Sequence, residues 1–274
     1  MKILLVLAAA LLASGCSTLR FAYENADTYL RWKAGTYVDL HGDEADELDD
    51  RIDEFHDWHR KNALPNYVRL VREASLRFDD GLSRQDLDWG YDSLRGQTRE
   101  SLRKAAELAA PMLDRLTPAQ VAQIERRLAD ENRQFQRDYL RGSERDRRRK
   151  RAKFVTDRLE DWVGKLSQAQ TERVREYAER MPLIDELRER DRKRLQGEVL
   201  GVIRARQARE RLPELIANWE RGREPAYVKG LESWRAEYFQ LLMEIDRSLS
   251  PEQRRRALGN LRRYAEDFEA LAAR

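Results

Sequence analysis

Apolar residues along this chain recur every three or four positions and do not form alternating runs. The cleanest case closes the sequence, where Ala257, Leu258, Leu261, Tyr264, Ala265, Phe268 and Leu271 form one stripe at helical period. Val121, Ile124, Leu128, Phe135 and Tyr139 make a second stripe, and Phe154, Val155, Leu159, Trp162, Val163 and Leu166 a third. Leu231, Trp234, Tyr238, Phe239, Leu242 and Ile245 make the broadest. Each covers only part of a helix, as expected of surface helices packed on their neighbours. These patterns predict an all-α protein, an irregular bundle of about eight to ten amphipathic helices.

Punctuation falls between the stripes. Asn62-Ala63-Leu64-Pro65, Asp80-Gly81, Met181-Pro182, Leu212-Pro213 and Glu224-Pro225 are each expected to end or kink a helix. The charged stretch at residues 141–153 reads as a hinge or as the solvated start of the helix carrying Phe154 and Leu159. No linker rich in Gly, Ser or Pro divides the chain, so residues 21–274 are expected to form a single helical domain.

The first sixteen residues, MKILLVLAAALLASGC, add an address. Lys2 is a short positive n-region, Ile3 to Leu12 an apolar h-region, and Ala13-Ser14-Gly15 a small-residue cleavage site before the only cysteine. This resembles a bacterial lipoprotein signal with its lipobox, although Ala13 stands where leucine is usual. The resemblance implies removal of residues 1–15, lipidation of Cys16 through its sulfur and acylation of the new amino terminus. Ser17 stands where an aspartate would mark inner-membrane retention, which implies the periplasmic face of the outer membrane. The alternative is an ordinary secretory signal followed by a buried free cysteine. Residues 16–20 then serve as a short tether reaching at most ~18 Å if extended, so the body sits close to the membrane.

Charged residues make up 38% of the chain, yet 53 Lys+Arg nearly balance 50 Asp+Glu. Such a chain is either a disordered polyampholyte or a set of helices with long solvated faces. Six tryptophans, ten tyrosines and a 41% hydrophobic content favour the helices. The near-neutral balance gives no reason to expect nucleic acid. With Cys16 lipidated, no thiol remains for a disulfide or a thiolate ligand.

Three segments share the pattern L-[ST]-x-x-Q: Leu116 to Gln120, Leu166 to Gln170 and Leu249 to Gln253. Each fits a capping box, in which the Thr117, Ser167 or Ser250 hydroxyl accepts from the amide three residues on. Gln120, Gln170 or Gln253 then reaches back to the cap's own amide. Leu40 to Glu44 and Leu82 to Gln85 look like eroded relatives. The motifs resemble the L-T-x-x-Q boxes of the Spy/CpxP group of helical periplasmic proteins, which implies an envelope role of chaperone type.

Residues 21–71 are dense in aromatics. The order Tyr23, Asn25-Ala26-Asp27, Tyr29-Leu30, Trp32-Lys33, Tyr37, Asp39-Leu40, then Phe55-His56, Trp58-His59-Arg60, Leu64-Pro65 and Tyr67 resembles a family of proteobacterial lipoproteins of unknown function. The resemblance brings no catalytic residues. Leu48, Ile52, Phe55 and His59 share one helix face. His56 and His59, with Asp53 a turn earlier, would supply two or three ligands to a borderline cation. The plainer reading makes one imidazole a buried hydrogen-bonding group and leaves the other exposed. Tyr29, Trp32, Tyr37 and Trp58 read as core or membrane-proximal packing, or as an aromatic groove for a peptide or glycan.

Catalysis finds no foothold. No nucleophile elbow, zinc-protease or phosphate-loop motif occurs. Asp49-Asp50 and Asp79-Asp80 are adjacent, so on a helix they diverge by about 100° and cannot share a proton. Residues 186–194 read as a solvated, ion-paired face. The expectation is a non-enzymatic, membrane-anchored lipoprotein without a cofactor that binds another protein. A small-ligand or metal module at His56 and His59 is the alternative.

Overall fold

The computed structural model describes residues 16–274. The leader, residues 1–15, lies outside the described residues. A helical pair, α1 (Cys16–Glu24) and α2 (Ala26–Gly35), leads to α3 (Asp43–Trp58), which runs through a π-helical turn (His59–Ala63) into α4 (Leu64–Asp79). The long α5 (Arg84–Leu113) precedes α6 (Pro118–Phe135), a second π-helical turn (Gln136–Leu140), α7 (Glu144–Val163) and α8 (Gln168–Arg180). The chain closes with α9 (Asp185–Arg204), α10 (Ala208–Ala217), α11 (Pro225–Arg247) and α12 (Pro251–Ala272). No strand occurs among the described residues, and the fold is all-α. Helices slightly outnumber the expectation because short ones such as α1, α2 and α10 form where no long stripe is visible.

The broad stripes become the core. Val155, Leu159 and Val163 of α7 meet Val174 and Tyr177 of α8, Leu241 and Ile245 of α11, and Ala257 of α12. A second cluster joins Ala106 and Ala110 of α5 to Val202 of α9 and Ala208 and Leu212 of α10. Along the other side, α12 packs on α4 and reaches α1. Two acids, the buried Asp246 and the half-buried Asp114, stitch the turns to this frame. Asp246 accepts from the Leu82 amide (2.9 Å) and from Arg254 (3.0 Å). Asp114 accepts from the first amides of α10, at Ala208 (2.6 Å) and Arg209 (3.1 Å). A carboxylate suits that position, because a helix N-terminus carries unpaired N–H groups and partial positive charge.

Most expected breaks are present. Gly81 turns the chain at φ 92°, Met181 ends α8, and Pro225 opens α11. Pro213, by contrast, lies inside α10. Pro65 does not break the chain either. The preceding turn widens to a π turn, in which Leu64 N–H donates to the His59 carbonyl. The Asn62 and Asn66 side-chain amides donate to the Trp58 and Asn62 carbonyls, each at 2.9 Å. The charged stretch at 141–153 is a short turn followed by α7, whose N-terminus Ser143 and Asp146 close as a capping box.

All three L-[ST]-x-x-Q motifs are realised as capping boxes, at the starts of α6, α8 and α12. Ser83 and Asp86 form a further box at α5. Two of the three are also joined to each other. The Gln170 and Gln253 side-chain amides exchange hydrogen bonds of 3.0 and 3.1 Å, and Gln170 is buried. The Gln170 amide nitrogen also donates to the Ser248 carbonyl at 3.1 Å. Ser250→Ala should therefore lower stability by about 1 kcal/mol, as a lost cap does. Gln170→Ala should cost more, roughly 1–3 kcal/mol, because it leaves buried groups unpaired. Thermal melts of both variants check the order, and equal losses would mean the junction between the two boxes adds nothing.

Candidate functional site

Three elements converge on the π turn after α3. The His59 ring lies between two tyrosine hydroxyls, Tyr23 of α1 on Nδ1 (3.1 Å) and Tyr67 of α4 on Nε2 (3.4 Å). A neutral imidazole serves both neighbours, accepting at one nitrogen and donating from the other. Phe55 and Trp58 pack around it, and Tyr67 passes the contact on to Phe268 of α12. Burial, with a smaller contribution from the neighbouring His56, pushes the His59 imidazole down to about 4. Burial likewise pushes the Tyr23 phenol up to about 12. Both groups are therefore neutral near pH 7, and this cluster is built to hold elements together.

His56 is not the exposed member of the pair. Its ring lies 4.7 Å from that of Tyr23, half-buried, with Nε2 buried and unpartnered. Asp53, the third candidate ligand, turns away to Arg31 at 2.9 Å, as Asp49 does at 2.7 Å. His41 is exposed in the turn before α3. No group of three or more His, Cys, Asp or Glu side chains suited to a metal ion occurs among the described residues. Of the predicted face, Ile52 is buried while Leu48, Phe55 and His59 are half-buried. Residues 186–194 are ion-paired as expected, with Arg190 on Glu224 (2.8 Å) and Arg194 on Asp191 (2.8 Å). Cys16 is the first residue of α1.

Sequence reasoning missed a cleft. Helices α4, α7, α11 and α12 enclose a space of about 460 Å³. Phe78, Leu159, Trp162, Tyr238, Leu242 and Leu261 form much of its wall, and Arg158 and Asp246 are its charged members. Asp246 is already committed to Leu82 and Arg254. The third sequence stripe is in fact two. Val155, Leu159, Val163 and Leu166 go inward, while Phe154 is 56% exposed and Trp162 39% exposed. Phe154, Arg158 and Trp162, at i, i+4 and i+8, run along one outer edge of α7. The Arg158 guanidinium lies over the Phe154 ring, and Trp162 stacks on Tyr264 of α12 at 5.6 Å. Trp162, stacked on Tyr264, thus forms an aromatic rim on the apolar trough, while Phe154 lies a turn and more away beside Tyr139, Arg151 and Arg188.

Residues 36–227 match a family described as "Family of unknown function (DUF6279)", over 192 of the 274 residues. The chain belongs to that family. No curated protein and no solved structure matches it. The family's span begins inside the aromatic segment of residues 21–71 and extends far beyond it, to residue 227. It holds His56, His59, Tyr67 and the α4 and α7 walls of the cleft. Tyr23 and α12 lie outside it.

The histidine cluster has a pH signature. An unfolded histidine titrates near 6.5, above the folded value of about 4. As pH falls, the unfolded state binds its proton first, so stability present above about pH 6.5 is lost progressively toward pH 4. Allowing for partial exposure of the ring, the loss should be roughly 2 kcal/mol. Denaturant titrations across that range should show this slope in the wild type and a flatter one in His59→Gln. Parallel slopes would mean that His59 takes up its proton in the folded state.

Proposed function

We propose that this chain is a non-enzymatic lipoprotein, anchored through Cys16 to the periplasmic face of the outer membrane. Its helical body binds an apolar segment of another protein in the cleft among α4, α7, α11 and α12. The signal-like leader and its cysteine support the address; the cleft supports the activity. The observation that carries the binding reading is the aromatic rim on α7. In a chain that is 38% charged, Trp162 lines an apolar trough while staying 39% exposed, and it stacks on Tyr264, which is exposed to the same extent. Exposed apolar surface that adjoins a concave apolar wall marks an interaction site.

The chemistry of the walls favours a protein segment over a small polar ligand. Small-ligand sites place convergent polar groups to fix orientation. Here the cleft offers Arg158 at the edge and an already satisfied Asp246. Such a surface accepts apolar side chains with little regard to sequence, which suits an envelope-maintenance or chaperone-like role. The test is a fluorescence anisotropy titration with a labelled amphipathic helical peptide. Trp162→Asp and Leu261→Asp should each weaken binding by roughly tenfold or more, and Trp162→Asp should do so with little change in melting. Equal affinity across wild type and both variants would remove the cleft from the account.

A further inference from the structure

Helices α1 and α2 carry their charges in ion pairs, half-buried except at the exposed Glu24, and keep an uncharged aromatic face in solvent. Every charged side chain between Arg20 and Lys33 is tied up. Arg20 donates to the buried Asp267 of α12 at 2.5 Å, and Glu24 pairs with Arg274. Arg31 gathers Asp27, Asp49 and Asp53, and Lys33 meets Glu131 of α6 at 3.1 Å. Tyr23 points inward to His59. The opposite side carries Phe21, Asn25, Thr28, Tyr29 and Trp32, all exposed and none charged. Phe21, Tyr29 and Trp32 are 57%, 58% and 62% exposed.

These residues share one side of a nearly continuous helix. Asn25 N–H donates to the Phe21 carbonyl and Tyr29 N–H to the Asn25 carbonyl, so helical bonding persists across the junction. At 3.6 residues per turn the five fall within a sector of roughly 100°. Tyr29 and Trp32 also touch, with ring centroids 5.7 Å apart. A helix face left to water is ordinarily polar and charged, so an exposed sector with three large aromatics and no charge calls for a non-aqueous neighbour.

The position of Cys16 selects that neighbour. It opens the same helix, about 8 Å along the axis from Phe21 and about 24 Å from Trp32. A lipid on Cys16 therefore places the start of this face at the bilayer. Lying flat brings the rest of it to the same depth. Tryptophan and tyrosine settle at the headgroup boundary, where ring and polar edge are both accommodated. We propose that the outward face of α1 and α2 lies in the plane of the bilayer interface beside the lipid on Cys16. This rests on the anchor reading above and adds to it a fixed orientation. The ion pairs of Arg20, Arg31 and Lys33 then transmit that orientation to α12, α3 and α6, so the body is held at one attitude.

The test uses the lipidated full chain in vesicles of phosphatidylethanolamine and phosphatidylglycerol, with and without brominated acyl chains. Bromine should quench part of the tryptophan emission. Trp32→Phe should abolish most of that quenching, whereas Trp162→Phe should leave it intact. If the protein floats with vesicles but Trp32→Phe leaves the quenching unchanged, the anchor stands and the in-plane face is wrong. If the wild-type chain does not float, both readings fall. In a Cys16→Ser chain made without residues 1–15, adding Phe21→Ser, Tyr29→Ser and Trp32→Ser should keep the melting temperature and remove any residual vesicle binding. Residual binding that survives the triple change, or a Trp32 that crosslinks to a second copy or another protein in place of lipid, would also overturn the proposal.

Discussion

Cys16→Ser should leave the chain without its lipid and with residues 1–15 uncleaved. This is the largest effect expected of any single substitution in the chain. A thioether lipid together with amino-terminal acylation supplies more than one acyl chain, and stable anchoring needs that second signal where one chain would be marginal. No helix among the described residues is long and apolar enough to cross a membrane, so none of these helices would substitute for the lost lipid as a span. The aromatic face of α1 and α2 should leave at most weak, reversible binding. Fractionation followed by mass measurement of the mature amino terminus decides the matter. A serine variant processed to the same amino terminus as the wild type, or a wild type whose Cys16 carries no lipid, would remove the anchor.

Leu241→Ala should be the most damaging of the core truncations, costing roughly 2–5 kcal/mol. Leu241 is fully buried where α11 meets α7, α8 and α12, and the surrounding Val174, Tyr177 and Ile245 are themselves buried. A cavity there is walled by four helices and has little room to collapse. Phe55, which the sequence pattern also places on a packed face, is only half-buried, so Phe55→Ala should cost less. Trp162→Ala should cost least, because its ring is partly in solvent and borders the cleft. Denaturant unfolding of the three variants checks the ranking. A Trp162→Ala loss as large as that of Leu241→Ala would mean the rim is structural.

The features legible in the sequence are those set by neighbours a few residues away. Helical period and the Thr117, Ser167 and Ser250 boxes all depend on bonds spanning three or four positions. What sequence could not supply was the direction in which a stripe faces. Phe154 and Trp162 are interleaved with Val155, Leu159 and Val163, and the two stripes on α7 read as one until α11 and α12 cover only the second. The same limit hid the ion-paired charges of α1 and α2, since Arg20 finds Asp267 across 247 positions. The histidines were visible as residues, but their partners were not. Tyr23 and Tyr67 reach His59 from different helices, while Asp53, adjacent on paper, is drawn away by Arg31. Pro65 misled for a related reason: a π turn admits it without ending the helix.

The binding surface is tested most directly by a photoreactive amino acid placed in turn at Trp162, on the cleft rim, and at Arg209, exposed on α10. After irradiation of living cells, the rim position should yield adducts with another polypeptide, lost when Leu261→Asp is introduced and absent from the Arg209 position. No adduct from the rim, or the same adducts from both positions, would contradict the account.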